Sequence, residues 1–267
     1  MGGVAQGVSP DGLDFDRIGG AVRVVVDVPA NRLWIVVVNT PNGQILEYDA
    51  TTLRQLRRTG WPQPIAAATS LGGFLYFSSP AGVAAFLPGV RTPQVLSALR
   101  GPTGMIVADP RRSRLLVLDY ATSPGAGGFR SRVRAYRPGG GLIAAVGQLS
   151  FGKGTVVVSG DGTIWAGGFG TTGAVLTRLD PTSLQPGEMS PLASLLGPGA
   201  DLVAAGQSDI WVRSGSGGTE LFCMDGQTGR DNEHWSDLPG RVTSLHGAAY
   251  IVSGTTVRPV SIGGCAG

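Results

Sequence analysis

The sequence is poor in lysine, histidine and cysteine, and it has no long apolar run. Lys153 is the only lysine among 21 basic residues, and the formal net charge is +3. That charge is too mild to indicate a nucleic-acid-binding surface. No apolar segment reaches the roughly 18 residues that a membrane-spanning helix needs. We therefore expect no nucleic-acid partner and no membrane span within this chain.

Glycine, by contrast, is abundant, with 44 residues in a chain of 267. Hydrophobic residues make up 42% of the sequence, which suffices for a sizeable core and excludes a disordered chain. The preference for arginine over lysine is typical of GC-rich genomes. These features favour a globular protein that is rich in turns.

Short apolar segments recur at a nearly constant spacing. They centre on Trp34, Tyr76, Leu116, Trp165, Trp211 and Tyr250, and successive centres are 42, 40, 49, 46 and 39 residues apart. A period of about 40 to 50 residues that consists of short strands is typical of propeller blades. The sequence therefore predicts an all-β fold, a six-bladed β-propeller with four-stranded blades.

Each repeat except the last also contains segments that suit the other three strands of a blade. An apolar run such as AVRVVVD or GTVVVS precedes the central segment and suits an innermost strand. The third run ends in a turn signal, Asp-x-x-Thr or Pro-Gly. A more polar run such as RQLRRTGW follows and suits an outer strand that faces solvent.

Residues 160–184 lie within the fourth repeat and are rich in glycine: GDGTIWAGGFGTTGAVLTRLDPTSL. We interpret GDG as the turn between the first and second strands and IWAGG as the second strand. GFGTTG is then the loop to the third strand. On this interpretation the glycines form the corners of a blade.

The last repeat ends before a fourth strand, and LDFDRIGG at residues 13–20 supplies a candidate for it. We predict a single propeller domain over residues 13–267, closed by pairing of this N-terminal strand into the last blade. Residues 1–12 are then a tail or an added segment. They lack the basic and apolar regions of a signal peptide, and we expect an upstream signal or membrane anchor.

The two cysteines are Cys223 and Cys265. An even count suits one disulfide in an oxidising compartment, where the bond would fasten the C-terminal tail to a neighbouring blade. Two unpaired buried thiols are the alternative, because sequence spacing does not show whether the Cα atoms approach closely enough.

Repeats such as GTIW…LTRLDPTSL and RLWIVVV…ILEYDATTL resemble the bacterial propeller repeats of the NHL, YVTN and streptogramin-lyase-like group. The resemblance covers residues 13–265. It implies binding through one face of the ring, usually the face that carries the loops between blades. Members of the group include extracytoplasmic sensor domains, secreted repeat proteins and a few lyases.

Those lyases use a histidine and a glutamate with Mg²⁺, and this chain departs from that pattern. It has four glutamates, Glu47, Glu188, Glu220 and Glu233, and two histidines, His234 and His246. In the repeat alignment His246 falls on the opposite face, and His234 falls in an outer strand. The histidines also lack zinc-ligand spacing.

Two further motifs match a known ligand-binding pattern only in part. GQLSFGKGT at residues 147–155 fits a phosphate-binding loop at Gly147, Gly152 and Lys153. However, Gly154 replaces the Ser or Thr that would hold Mg²⁺, and a strand rather than a helix is predicted to follow. Asp11, Asp14 and Asp16 gather three carboxylates without the spacing of a calcium loop, and we interpret them as solvated or turn residues. We therefore expect no metal and no cofactor.

A binding surface remains on the predicted face of the ring. The longest insertion, YATSPGAGGFRSR at residues 120–132, lies there, and long loops on rigid scaffolds often carry function. Basic and aromatic residues accompany it and suit interface anchors. The candidate ligand-binding residues are Trp61, Arg100, Tyr120, Phe129, Arg130, Lys153, Arg213 and Arg241.

We therefore predict a non-catalytic extracytoplasmic binding or sensor module, secreted or exposed on a membrane-anchored protein. Its partner would be a protein, a peptide or a small anionic ligand, and the module would be a monomer. The alternative is a streptogramin-lyase-like, metal-dependent enzyme on the ring face.

Overall fold

A computed structural model describes most of the chain from residue 21 to residue 259. The described ranges are 21–87, 90–100, 104–120, 131–145, 149–171, 173–197, 200–214, 220–236, 241–245, 248–253 and 256–259. Within them the structure consists of antiparallel strands and two short 3₁₀ helices, Pro110–Arg112 and Pro191–Leu195. No helix in this part of the chain has the length and hydropathy needed to cross a membrane.

The strands form five four-stranded sheets and one three-stranded sheet, and each follows the chain in simple up-and-down order. The chain also divides into two compact units, Met1–Val117 with Tyr136–Leu142 and Leu118–Ala135 with Ile143–Gly267. The division runs through the third sheet. The predicted single domain over residues 13–267 stays a prediction.

Sheets 1 and 2 belong to the first unit. Sheet 1 contains β1 (Ala21–Asp27), β2 (Arg32–Val38), β3 (Gly43–Asp49) and β4 (Gln55–Trp61). Sheet 2 contains β5 (Ala67–Leu71), β6 (Phe74–Ser79), β7 (Gly82–Phe86) and β8 (Gln94–Arg100). Sheet 3 contains β9 (Met105–Asp109), β10 (Arg114–Asp119), β11 (Arg132–Tyr136) and β12 (Leu142–Ala145).

Sheets 4, 5 and 6 belong to the second unit. Sheet 4 contains β13 (Lys153–Val158), β14 (Ile164–Gly170), β15 (Gly173–Leu179) and β16 (Pro186–Met189). Sheet 5 contains β17 (Asp201–Ala205), β18 (Asp209–Ser214), β19 (Glu220–Asp225) and β20 (Asp231–Trp235). Sheet 6 contains β21 (Arg241–Leu245), β22 (Ala248–Ser253) and β23 (Thr256–Pro259).

The burial of each strand follows its position in the sheet. The second strand of sheet 1, RLWIVVV, is buried along all but its first residue, because its two faces both pack on other residues. The fourth strand, QLRRTGW, has no fully buried residue. All six predicted repeat centres, from Trp34 to Tyr250, lie in second strands. The repeat period therefore located the strands correctly.

The core lies between neighbouring sheets. In the first unit, Trp34 and Ile45 of sheet 1 share a buried cluster with Phe77 and Phe86 of sheet 2. In the second unit, Trp165 of sheet 4 shares a cluster with Phe222 of sheet 5. First strands also touch in succession, β1 with β5 and β5 with β9, and then β13 with β17 and β17 with β21.

The predicted Asp-x-x-Thr turn is confirmed, and sheets 1, 4 and 5 share one geometry. In sheet 1 the Oδ1 atom of Asp49 accepts hydrogen bonds from the amides of Thr51 and Thr52 and from the Thr52 hydroxyl. Asp180 and Asp225 do the same for the amides two and three residues on and for a Ser or Thr hydroxyl. The fifth residue of each turn is left-handed, with φ of 55°, 60° and 69° at Leu53, Leu184 and Gly229.

The prediction for the fourth repeat is confirmed for IWAGG, which lies in the second strand and includes Gly167, but the prediction that GFGTTG is a loop is wrong for Gly168 and Gly170. They lie inside β14, which continues to Gly170 instead of ending near Gly168. A Cβ atom on Gly168 would come within 2.4 Å of the Lys153 carbonyl, and one on Gly154 within 2.1 Å of the Gly167 carbonyl. These glycines therefore allow β13 and β14 to approach each other closely.

The predicted closing strand, residues 13–20, lies outside the described residues. A closed, six-bladed ring therefore stays a prediction.

Candidate functional site

The strand directions place six of the eight candidate binding residues on corresponding sheet edges. In an antiparallel sheet of this order, first strands begin and second strands end at the same edge, which also carries the connections between sheets. We call this the connection edge. Six candidates lie at strand ends on it: Trp61, Arg100, Tyr120, Lys153, Arg213 and Arg241. Phe129 and Arg130 lie outside the described residues.

Within the second unit, hydroxyl groups hold the strand that begins at Lys153. The Tyr120 hydroxyl donates to the Gly154 carbonyl at 2.8 Å, and the Ser131 hydroxyl donates to the Gly152 carbonyl at 2.9 Å. The carbonyls on both sides of Lys153 are therefore fixed. The Lys153 side chain is exposed and forms no ion pair with a described residue. The structure thus brings Tyr120 and Lys153 together.

An ion pair lies next to Tyr120. The Nε and Nη2 atoms of Arg134 each lie 2.6 Å from Oδ2 of Asp119. Burial raises the pKa of Asp119, and the Arg134 charge opposes that rise. The other carboxylate oxygen, Oδ1, is buried and has no hydrogen-bond partner among the described residues. This pair orders the end of β10 where the long insertion begins.

The Trp61 side chain is less available for ligand binding than its position at a strand end suggests. Its ring packs edge-to-face on Phe77, with centroids 5.1 Å apart, and it borders the core between sheets 1 and 2. The indole Nε1 atom is buried and has no hydrogen-bond partner within the described ranges. Most of this side chain therefore serves packing.

The remaining candidates, Arg100, Arg213 and Arg241, each lie at or near a strand end. Arg213 is half-buried near the end of β18, where its Cα pairs with that of Asp201 on β17. Arg100 ends β8 and Arg241 begins β21. Of these three, only Arg213 has a side chain that the structure describes.

A cleft between sheets 4 and 5 was not predicted. It has a volume of about 300 Å³, and its lining is mixed, with two cations, one carboxylate and apolar surface. We call it the sheet 4–5 cleft. Its lining residues are Trp165, Arg178, Glu188, Met189, Gln227, Thr228 and Arg230.

Hydrogen bonds between the two sheets shape this cleft. The Trp165 indole donates to the Gly226 carbonyl at 2.8 Å, and Arg178 Nη1 donates to the Gln227 carbonyl at 2.5 Å. The side-chain amide of Gln227 donates through Nε2 to Asp161 Oδ2 at 2.7 Å and to the Thr163 hydroxyl at 2.9 Å. Four contacts therefore fix the Asp225 turn against sheet 4.

Two carboxylates behind the cleft, those of Asp161 and Asp225, accept hydrogen bonds from residues of the turns. Burial alone would raise the pKa of Asp161, but hydrogen bonds from Ser159, Thr163 and Gln227 outweigh it and lower that pKa to about 2. Hydrogen bonding from Thr228 likewise lowers the pKa of Asp225. Burial, reinforced by the Asp225 charge, raises the pKa of Asp209 on the neighbouring strand.

Potential metal ligands are dispersed in the described part of the chain, where no three His, Cys, Asp or Glu side chains gather. His234 stacks on Phe222 with ring centroids 5.2 Å apart, and its Nδ1 atom lies 3.9 Å from Asp231. His246, Asp11, Asp14 and Asp16 lie outside the described residues. As expected, Lys153 is followed by a strand, which does not suit a phosphate-binding loop.

Cys223 is fully buried on β19. Cys265 lies outside the described residues, so the disulfide between them stays a prediction.

Comparison with known proteins identifies the fold. No family model and no curated protein matches the chain. Among solved structures, the chain is similar to the WD40 β-propeller domain of Doa1, with a TM-score of 0.59, 10% identity and coverage of 91% of this chain and 80% of that one. It is also similar to the calcium-binding protein regucalcin from Agrobacterium tumefaciens, with a TM-score of 0.57, 14% identity and coverage of 85% and 80%.

A third similar structure is a luciferin-regenerating enzyme, with a TM-score of 0.57, 12% identity and coverage of 86% of this chain and 82% of that one. At such low identity these similarities establish the fold alone. The chain therefore has a β-propeller fold.

Proposed function

We propose that this chain is a non-catalytic, extracytoplasmic binding module that presents its connection edge to a peptide, a protein or a small anionic ligand. The observation that carries the proposal is the exposed Lys153 on a strand end that hydroxyls of Tyr120 and Ser131 hold in place. A charged side chain on a rigid scaffold beside a long insertion is a favourable arrangement for recognition.

The charge of this region favours an anionic partner. Lys153 is exposed, and Arg213 lies at a corresponding strand end of the same unit. Exposed cations accelerate the encounter with an acidic ligand and add specificity more than affinity. The candidates Phe129 and Arg130 follow Tyr120 in sequence and would supply the neighbouring contacts.

A metal-dependent enzyme is the second candidate. Proteins of similar fold include a luciferin-regenerating enzyme and a calcium-binding protein. Catalysis of that kind needs clustered ligands, and no three His, Cys, Asp or Glu side chains gather among the described residues. No feature of the described site favours it over binding.

The extracytoplasmic location and the monomeric state belong to the same proposal. The two cysteines support the location, since a disulfide persists in an oxidising compartment. Export of the natural full-length protein, followed by light scattering of the purified module, tests both. Retention in the cytoplasm or a stable dimer would contradict them.

Selection from a phage-displayed random peptide library tests the binding function. We expect enrichment of acidic peptides, and we expect Lys153→Glu to weaken their binding roughly tenfold because the variant repels them. Tyr120→Phe should weaken binding less, since it removes only the hydroxyl that fixes the Gly154 carbonyl.

Arg54→Glu is the matched control, because it changes the charge equally at an exposed residue on the opposite edge of sheet 1. Equal weakening by Arg54→Glu, or no enriched peptide, would overturn the proposal.

A further inference from the structure

We propose that the sheet 4–5 cleft is a separate binding site, which takes a small organic anion and holds its carboxylate or phosphate group between Arg178 and Arg230. This site lies away from the connection edge and does not depend on the function proposed for that edge. Its volume of about 300 Å³ is at the lower end of the range for small-molecule sites, which limits the ligand to a compact molecule.

Arg178 is held in a fixed position at the cleft. One of its terminal nitrogens, Nη1, donates to the Gln227 carbonyl at 2.5 Å. Gln227 is itself held by Asp161 and Thr163. This contact restrains the guanidinium while leaving other N–H donors for a ligand, and a restrained donor loses less entropy on binding.

The charge that faces the cleft is mainly positive. Arg230 is exposed, and its guanidinium has no ion-pair or hydrogen-bond partner within the described ranges. Glu188, the only lining carboxylate, lies within 4.0 Å of neither arginine. Two guanidinium groups therefore outnumber one carboxylate. An oxyanion is the group that such a pair binds best, through charge-assisted hydrogen bonds.

An apolar surface lies beside these charges. Met189 is 58% exposed and lines the cleft, while the Trp165 ring is 2% exposed and forms part of its wall. A ligand with an apolar portion would cover Met189 and gain from the loss of exposed apolar area. This argues for an organic anion over inorganic phosphate.

The structure also supplies a matched control. Arg54 occupies the position in the Asp49 turn of sheet 1 that Arg230 occupies in the Asp225 turn. Each carbonyl accepts from the aspartate amide, and each amide donates to a threonine hydroxyl. Both side chains are exposed, but only Arg230 lines the cleft. Replacement of either by glutamine removes the same charge from the same kind of turn.

Titration with benzoate, phenyl phosphate and inorganic phosphate, followed by ¹H–¹⁵N spectra of the Trp165 indole, tests the proposal. We expect saturable shifts with benzoate or phenyl phosphate and weaker binding of inorganic phosphate. The tighter of the two aromatic probes identifies the preferred oxyanion. Arg230→Gln and Arg178→Gln should each raise the Kd at least about fivefold, and Arg54→Gln should leave it unchanged.

Three results would overturn the proposal. The first is an absence of saturable shifts at the Trp165 indole with every probe. The second is inorganic phosphate binding as tightly as phenyl phosphate. The third is Arg54→Gln weakening binding as much as Arg230→Gln. Unfolding curves of all three variants establish that each is folded, and the surface exposure of these arginines makes that the expected result.

Discussion

The Arg57 guanidinium lies 3.8 Å from the centroid of the Phe86 ring, and this contact joins the outer strand of sheet 1 to the third strand of sheet 2. The same guanidinium donates to Glu47 and to the Val90 carbonyl. Glu47 is buried and also contacts Arg32 at 3.0 Å. One side chain thus neutralises a buried carboxylate, covers an aromatic ring and binds a backbone carbonyl between β7 and β8.

Arg57→Met should therefore destabilise the first unit. The variant keeps the apolar stem but removes the cation–π contact and leaves Glu47 with Arg32 alone, so we expect a loss of about 2 kcal/mol. For a chain of this length that corresponds to a fall in Tm of roughly 4–8 °C, measurable by calorimetry.

The neighbouring Arg58→Met serves as the control. Arg58 is exposed, and among the described residues its guanidinium donates only to the Gln44 side chain. We expect a change of no more than about 0.5 kcal/mol. A Tm loss in Arg58→Met that matched the loss in Arg57→Met would show that the Arg57 contacts contribute no more to stability than the exposed contact of Arg58.

Gly229→Ala should be strongly destabilising. Gly229 has a φ of 69°, and a Cβ atom there would lie 2.6 Å from Cη2 of Trp165. Backbone strain and the clash with a buried ring together should cost roughly 2–4 kcal/mol. Denaturant unfolding measures the loss.

Gly60→Ala is the matched test of that explanation. A Cβ atom on Gly60 meets nothing within 4 Å, and the residue lies in the exposed outer strand of sheet 1. We expect this variant to be neutral or slightly more stable. Equal destabilisation by both variants would contradict the role assigned to Trp165.

The sequence alone allowed the turns and the second strands to be predicted, but it did not show the role of each glycine. The Asp-x-x-Thr turns were predictable because their hydrogen bonds join residues within one short segment, as at Asp49 and Thr52. The second strands were predictable because burial on both faces requires continuous apolar runs. Glycine, however, serves both turns and close strand approach. The end of β14 was therefore predicted near Gly168, whereas the strand continues to Gly170.

Of the two candidate sites, the connection edge was predictable from the sequence and the sheet 4–5 cleft was not. Strand order alone placed Lys153 and Tyr120 at one edge, and the repeat period gave that order. The sheet 4–5 cleft depends on the packing of residues far apart in sequence, such as Arg178 and Arg230. Its only sequence signal is an arginine directly after an Asp-x-x-Thr-Gly turn, and a signal within one turn does not show which residues of the neighbouring sheet lie beside it.

Stability should depend on pH through Asp161. Its pKa falls from an ordinary value of 3.8 to about 2 in the folded chain, so the ionised form stabilises the fold. This contribution is present above pH 4 and is lost as the pH falls toward 2. Asp161→Asn should therefore lower Tm at pH 6, and the difference from the unmodified protein should shrink as the pH approaches 2.

Glu233→Gln is the control for that titration. Glu233 is exposed on β20, and its carboxylate accepts no hydrogen bond from a described residue. We expect its Tm to follow that of the unmodified protein at every pH. A constant difference between Asp161→Asn and the unmodified protein from pH 6 to pH 2 would mean that the Asp161 charge has no part in stability.

The predicted disulfide gives the last test, because it joins a buried strand to the C-terminal tail. Cys223 is completely buried, so its own replacement would disturb the core, and Cys265→Ser is the cleaner variant. Closing a loop of about 40 residues should contribute roughly 3–4 kcal/mol, so the variant should melt at a lower temperature.

A mass two daltons below that of the reduced chain would identify the bond in the unmodified protein. Reductant should lower the Tm of the unmodified protein to that of Cys265→Ser and leave the variant unchanged. Two free thiols in the denatured, unreduced protein would instead favour a pair of unbonded cysteines.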